Sequence, residues 1–219
     1  SILSFHPVKH LTTGEGGAIT TNSKEIYEKL LELRMHGMNR TSFKNESMSK
    51  DLKGNMNPWY YEMHSLGYNY RITDFQCALG LSQFKKLDSF IQRRKEIAKN
   101  YDKAFLNSKI KPLYIFDDKS SYHLYVVKFD FSSISMSKAE LFNQMREKNI
   151  GLQLHYIPIN KQPYYVSLGY GKENTPVMEK YYEECFSLPM YPLLSDEEQQ
   201  YIINNLFDIL KEKNEICKL

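Results

Sequence analysis

Cysteine is scarce: Cys77, Cys185 and Cys217 are three among 219 residues, far apart and with no CxxC pair. An odd, scattered set argues against a disulfide framework or a zinc site and fits a reducing compartment. No run approaches the roughly 20 apolar residues a membrane helix needs, and no charged leader precedes an apolar signal core. The expected location is cytoplasmic, with no membrane partner. There is also no excess of one charge, because 29 Lys and Arg against 26 Asp and Glu leave a formal +3. That balance gives no strong pull toward nucleic acid. What the sequence does hold is core material, 42% hydrophobic and 14% aromatic, which excludes wholesale disorder and suits one or two domains.

The opening Ser1-Ile2-Leu3-Ser4-Phe5 has no Met and no polar lead-in. It reads like the inside of a fold, so the expectation is the C-terminal portion of a longer protein. Gly14-Glu15-Gly16-Gly17 followed by Ala18-Ile19-Thr20-Thr21 predicts a hairpin over 10–21. Asn22 or Ser23 caps a helix over about 23–36, with Gly37 as its stop. Residues 39–58 show no period and read as a long loop, a kind of segment that is often functional. Thr73 with Gln76 forms a capping-box pattern for a helix to about Leu87, and a second helix follows from Asp88 to Phe105. Beyond Pro112 the pattern is strand over 122–131, helix from Ser137 to about Asn149, strand over 151–156, and a last helix from Ser195 through Leu210. That is a small α+β layer domain.

The run richest in chemistry is Ser4-Phe5-His6-Pro7-Val8-Lys9-His10, leading into Gly14-Glu15-Gly16-Gly17. A lysine closing an apolar strand between two histidines is poorly solvated, which disfavours its charge and moves it toward a nucleophilic amine able to form a Schiff base. An exposed lysine beside a glycine hairpin explains the same letters, and spacing does not choose between the two.

This run resembles the lysine motif of the DegT/DnrJ/EryC1/StrS family of sugar aminotransferases. Further matches follow in the family's order: 67–74 (GYNYRITD), 78–84 (ALGLSQF), 154–159 (LHYIPI) and 187–193 (SLPMYPL). Each is weak alone, and together they span essentially the whole chain. The resemblance implies an α/β, aspartate-aminotransferase-like architecture (fold type I), with residues 1–106 as the end of the large cofactor-binding domain and 107–219 as the small C-terminal α+β domain. It implies pyridoxal 5'-phosphate as cofactor, held covalently by Lys9 and at its phosphate by Ser4. Asn69 reaches the phosphate of a neighbouring subunit, with Arg71 assisting, so the resemblance also implies a homodimer with shared active sites. His155 and Tyr156 match the loop that meets the nucleotide-sugar. The wording of three of these motifs is most similar to the branch serving pseudaminic acid biosynthesis, which implies L-glutamate as amino donor and a UDP-linked 4-keto-6-deoxy-N-acetylhexosamine as acceptor.

The family's partners for the pyridine ring lie upstream of the lysine, and here only eight residues precede Lys9. A non-catalytic relative that only dimerises or binds nucleotide-sugar therefore stands as a competing reading. The family's dehydratase branch has histidine in place of the lysine, and Lys9 speaks against it. A nucleic-acid module is suggested by Lys85-Lys86 and Arg93-Arg94-Lys95 among 17 tyrosines, but a solvated helix face explains those charges better.

Overall fold

The computed structural model describes residues 1–211, and Cys217 lies outside them. Two compact units divide between Lys85 and Lys86. The second unit thus takes in the long helix that the 106/107 division assigns to the large domain.

In the first unit, β1 (Ile2–Ser4) pairs antiparallel with β2 (Gly17–Ile19), placing Ser4 opposite Gly17. The hairpin expected over 10–21 is therefore wider. Its strands are the apolar start and 17–19, and the motif residues 5–16 form the connection. Helix α1 (Lys24–Leu33) is capped by Ser23, whose hydroxyl accepts from Ile26 N–H. It is shorter than the predicted 23–36, because the chain turns through His36 and Gly37, both at positive φ. The expected loop over 39–58 carries some structure: β3 (Met38–Asn39) pairs with β4 (Glu62–Met63), and a short helix α2 (Glu46–Ser49) lies between them. Helix α3 (Asp74–Phe84) has the predicted capping box of Thr73 and Gln76. In this unit the buried residues are Thr13, Gly37, Ser49 and Gly80, so hydrogen bonds and close backbone contacts hold it rather than an apolar core.

The second unit has the core. Helix α4 (Leu87–Phe105) buries Arg94, Ile97, Ala98, Tyr101 and Phe105, one stripe at helical spacing. Strands β5 (Lys111–Pro112), β6 (Tyr125–Lys128) and β7 (Cys185–Leu188) form an antiparallel sheet in that order, with Val127 opposite Phe186. Helix α5 (Lys138–Glu147) and helix α8 (Asp196–Leu210) start at the predicted boxes Ser137/Glu140 and Ser195/Glu198. Between α5 and β7 lie the short helix α6 (Pro163–Ser167) and helix α7 (Pro176–Glu184), each opened by proline in its first turn. Ile202, Leu206, Phe207 and Leu210 of α8 join Val127, Leu141, Met145 and Phe186 in the core.

Two expectations are corrected. Residues 151–156 are not a strand: Gln153 alone bridges to Ser187, and the third sheet position is taken by β7. The basic run on α4 is not a solvated face either. Arg94 is buried and donates through one guanidinium nitrogen to the carbonyls of Tyr122, His123 and Met190 at 3.0 to 3.1 Å. Arg93 meets Leu194 O and Asp196, and Lys95 donates to Asp118 O. No helix among the described residues is long and apolar enough to cross a membrane.

Candidate active site

The connection between β1 and β2 is pinned from both sides. Phe5 N–H donates to Gly16 O at 2.8 Å, and Thr13 N–H and the Thr12 hydroxyl donate to Phe5 O at 3.0 and 3.1 Å. Inside this frame residues 7–10 make a turn, in which Lys9 N–H donates to His6 O at 2.9 Å. Lys9 is half-buried and lies on that turn, five residues past the end of β1. Contrary to the expectation from sequence, it does not close a strand, because Pro7 cannot continue the ladder. Ser4 ends β1, and its hydroxyl accepts from His6 N–H at 3.5 Å, which leaves the O–H itself able to donate.

Glycine is required on the return side. A Cβ on Gly16, at φ +145°, would sit 2.6 Å from Thr13 Oγ1, and one on Gly17 would sit 2.7 Å from Leu3 O. Helix α3 buttresses the same frame. Gln76 Nε2 donates to Glu15 O at 2.8 Å, and Gly80 lets the Thr13 methyl approach, where a Cβ would meet it at 2.9 Å.

The segment 67–71 is fixed by a second set of bonds. Tyr68 N–H donates to Leu33 O and Tyr70 N–H to Arg34 O, while Tyr68 O accepts from His36 N–H, all at 2.8 to 2.9 Å. Asn69 consequently bridges Met35 in antiparallel fashion at the end of α1. The approach is very close, since a Cβ on Gly37 would lie 1.7 Å from Ser65 O and one on Gly67 would lie 2.2 Å from Gly37 N. Ser65 adds a hydroxyl bond of 2.5 Å to Glu32, whose carboxyl is held below its usual range by that bond and by Lys29. Arg71 Nε donates to Asn69 Oδ1 at 2.9 Å. Both side chains are exposed.

Just upstream, Glu62 is a hub. Burial opposes its charge, but the backbone N–H groups of Lys44 and Asn45, with His64 and the Tyr60 hydroxyl, outweigh that and hold its carboxyl at about 2.

In the second unit, His155 is half-buried and Tyr156 is exposed. The imidazole Nδ1 lies 2.8 Å from Ser187 Oγ, and the backbone carbonyl of His155 accepts from the Tyr181 hydroxyl at 2.8 Å. The two rings meet edge to face with centroids 4.7 Å apart. The motifs quoted from the sequence contain Ser187 but assign it no role, and Tyr181 falls outside them. A polar residue in the otherwise apolar, fully buried run Cys185-Phe186-Ser187-Leu188 was the available signal.

The donor set suits a phosphorylated aldehyde. A primary amine (Lys9) fits the aldehyde, and a hydroxyl, a carboxamide and a guanidinium (Ser4, Asn69, Arg71) offer only or mainly N–H and O–H donors to a phosphate.

The DegT/DnrJ/EryC1/StrS aminotransferase family model matches residues 1–207. The UDP-4-amino-4,6-dideoxy-N-acetyl-beta-L-altrosamine transaminase of Campylobacter jejuni (strain 81-176) is 37% identical over 214 residues, covering 97% of this chain and 52% of the relative. The spore coat polysaccharide biosynthesis protein SpsC of Bacillus subtilis is 36% identical over 212 residues, covering 95% and 53%. Among solved structures, Helicobacter pylori PseC, an aminotransferase involved in the biosynthesis of pseudoaminic acid, matches with TM-score 0.83 and 32% identity, covering 96% of this chain and 53% of that one. The PLP form of Spr1654 from Streptococcus pneumoniae matches with TM-score 0.79 and 29% identity, covering 96% and 51%. The chain spans about half the length of the curated relatives it matches. Its fold is that of the corresponding half of these aminotransferases.

Proposed function

Since the chain belongs to the DegT/DnrJ/EryC1/StrS aminotransferase family, we propose that it serves a pyridoxal 5'-phosphate-dependent transfer of an amino group from L-glutamate to the 4-keto carbon of a UDP-linked 4-keto-6-deoxy-N-acetylhexosamine. The observation that carries this reading is the turn holding Lys9, framed by Phe5, Gly16 and Thr13, with Ser4 at the end of the strand that leads into it. When bound, the cofactor supplies an electron sink for the bond broken at the amino-bearing carbon. Lys9 would hold it covalently through Nζ and, once the amino group of glutamate displaces that bond, the freed amine would carry the proton from that carbon. Ser4 donates to the phosphate. Asn69, with its carbonyl turned to Arg71, offers its NH2 to the phosphate of a neighbouring subunit, so the working form is a homodimer with shared sites. His155 and Tyr156 hydrogen-bond the sugar nucleotide. The protein works in the cytoplasm.

A second acceptor is kept open by one observation: the 36% identity to SpsC nearly equals the 37% to the altrosamine transaminase. An assay of the full chain with glutamate against UDP-, dTDP- and GDP-linked 4-ketosugars decides. The expected result is preference for the UDP-linked N-acetyl sugar. Preference for another nucleotide overturns the acceptor and keeps the transfer, and no amino transfer to any of them overturns the reaction.

A further inference from the structure

We propose that Ser187 is a positioning residue for His155, fixing the orientation and the tautomer of the imidazole in the loop that meets the sugar nucleotide; this rests on the reading of His155 given above. Ser187 sits in β7, where all four residues are buried. Side chains alternate along a strand, so Phe186 and Leu188, both in the hydrophobic core, point one way and Ser187 points the other. Its main chain is fixed on both sides, with Val126 opposite it in β6 and with reciprocal bonds to Gln153 of 2.7 and 3.1 Å. A hydroxyl placed so firmly and shielded from water needs a partner, and the His155 Nδ1 lies 2.8 Å from it.

His155 is thus held at two points from two elements. The Tyr181 hydroxyl of α7 takes its carbonyl, and burial raises the pKa of that phenol, so it stays a neutral donor. Ser187 takes Nδ1. The two ring nitrogens point to opposite sides of the imidazole, and the bond at one selects the state of the other. An alanine at 187 leaves the main chain and the core-facing residues in place and removes only this selection.

The test uses the full chain with cofactor, histidine-labelled with ¹⁵N, in wild type, Ser187→Ala, Ser187→Thr and His155→Ala, the last to assign the His155 ring signals. Expected is a several-fold change in the ratio of the two neutral tautomers of His155 in Ser187→Ala, with return toward wild type in Ser187→Thr. In steady state, Ser187→Ala raises the KM for the sugar nucleotide by roughly two- to tenfold, the loss of about one hydrogen bond, and leaves the glutamate half-reaction as it was. It has no further effect when His155 is already alanine. An unchanged tautomer ratio, or an equal rise in KM on the His155→Ala background, overturns the proposal. If His155→Ala alone leaves the sugar KM unchanged while the tautomer ratio still follows Ser187, the sugar-contact reading of His155 fails instead.

Discussion

Arg71 donates its Nε–H to the Oδ1 of Asn69 at 2.9 Å, and this settles which end of the amide is which. A guanidinium has no acceptor, so the oxygen must face it and the NH2 is the end left to donate. In the proposed site that NH2 would meet the phosphate, and Arg71 would contribute by orienting its neighbour as well as by charge. Arg71→Ala should weaken pyridoxal 5'-phosphate binding to the full chain by roughly three- to tenfold, about the worth of one hydrogen bond. Arg71→Lys keeps the charge without the planar fork and should recover only part of it. Titration of cofactor absorbance measures both, and equal binding by Arg71→Ala and wild type would remove Arg71 from this role.

Lys9 carries a prediction that depends on no other residue. Borohydride reduction of the cofactor-loaded full chain should fix the cofactor's mass to the peptide containing Lys9, and Lys9→Ala should abolish both the label and amino transfer. Peptide mapping reads the outcome, and a label on another lysine sinks the assignment.

A shared site makes a different demand. If Asn69 serves the phosphate of a neighbouring subunit, mixing the inactive Lys9→Ala and Asn69→Ala full chains should restore activity, because one of the two sites in each heterodimer regains both residues. Heterodimers proven by native mass spectrometry but without activity would count against the shared site.

The capping boxes at Thr73, Ser137 and Ser195 were legible because each is a local pattern of four residues whose two side chains satisfy two backbone N–H groups. The core stripe of α8 was legible for a similar reason, its period being that of the helix itself. The strand β7 was not, since its four residues are buried on both faces and show no alternation. The pattern over 151–156 suggests a strand in its place, although only Gln153 reaches the sheet. The site divides in the same way. Motifs single out Lys9 and Asn69 as candidates, but nothing in those motifs shows what holds them. Asn69 is placed by Met35, 34 residues away, and His155 by Ser187, 32 residues away. Arg94 shows the converse error: a basic run reads as solvated until three carbonyls converge on one of its members.

Glu62 predicts an acid response. Its folded-state pKa of about 2 lies below the ordinary 4.5, so its charged form stabilises the fold. That stabilisation is fully present above 4.5 and is lost as pH falls through about 2. The amides of Lys44 and Asn45 donate to this carboxylate at 2.7 and 2.8 Å, so their protection from hydrogen exchange should fall over that window. Glu62→Gln should lower the protection at neutral pH and flatten the step. An identical acid step in the variant would place its origin elsewhere.

Gly37 is where the placement of Asn69 is most easily broken. It combines two demands: a φ of +70°, which disfavours any Cβ, and a Cβ position only 1.7 Å from Ser65 O, a backbone atom that cannot swing aside. Gly54 carries the first demand alone, with φ +83° and nothing within 4 Å of its Cβ position. The left-handed conformation costs an alanine about 1–2 kcal/mol, and forcing atoms into a filled space adds roughly 1–3 kcal/mol. Gly54→Ala should therefore destabilise the full chain by about 1–2 kcal/mol and Gly37→Ala by about 2–5 kcal/mol, measured by urea unfolding. The variants should also differ in kind. The His64 amide donates to Gly37 O and the Tyr68 amide to Leu33 O. Faster exchange at both, with weakened cofactor binding, is expected only for Gly37→Ala. If Gly54→Ala weakens cofactor binding as much, general loss of stability explains the effect and the close packing at Gly37 is not what presents Asn69.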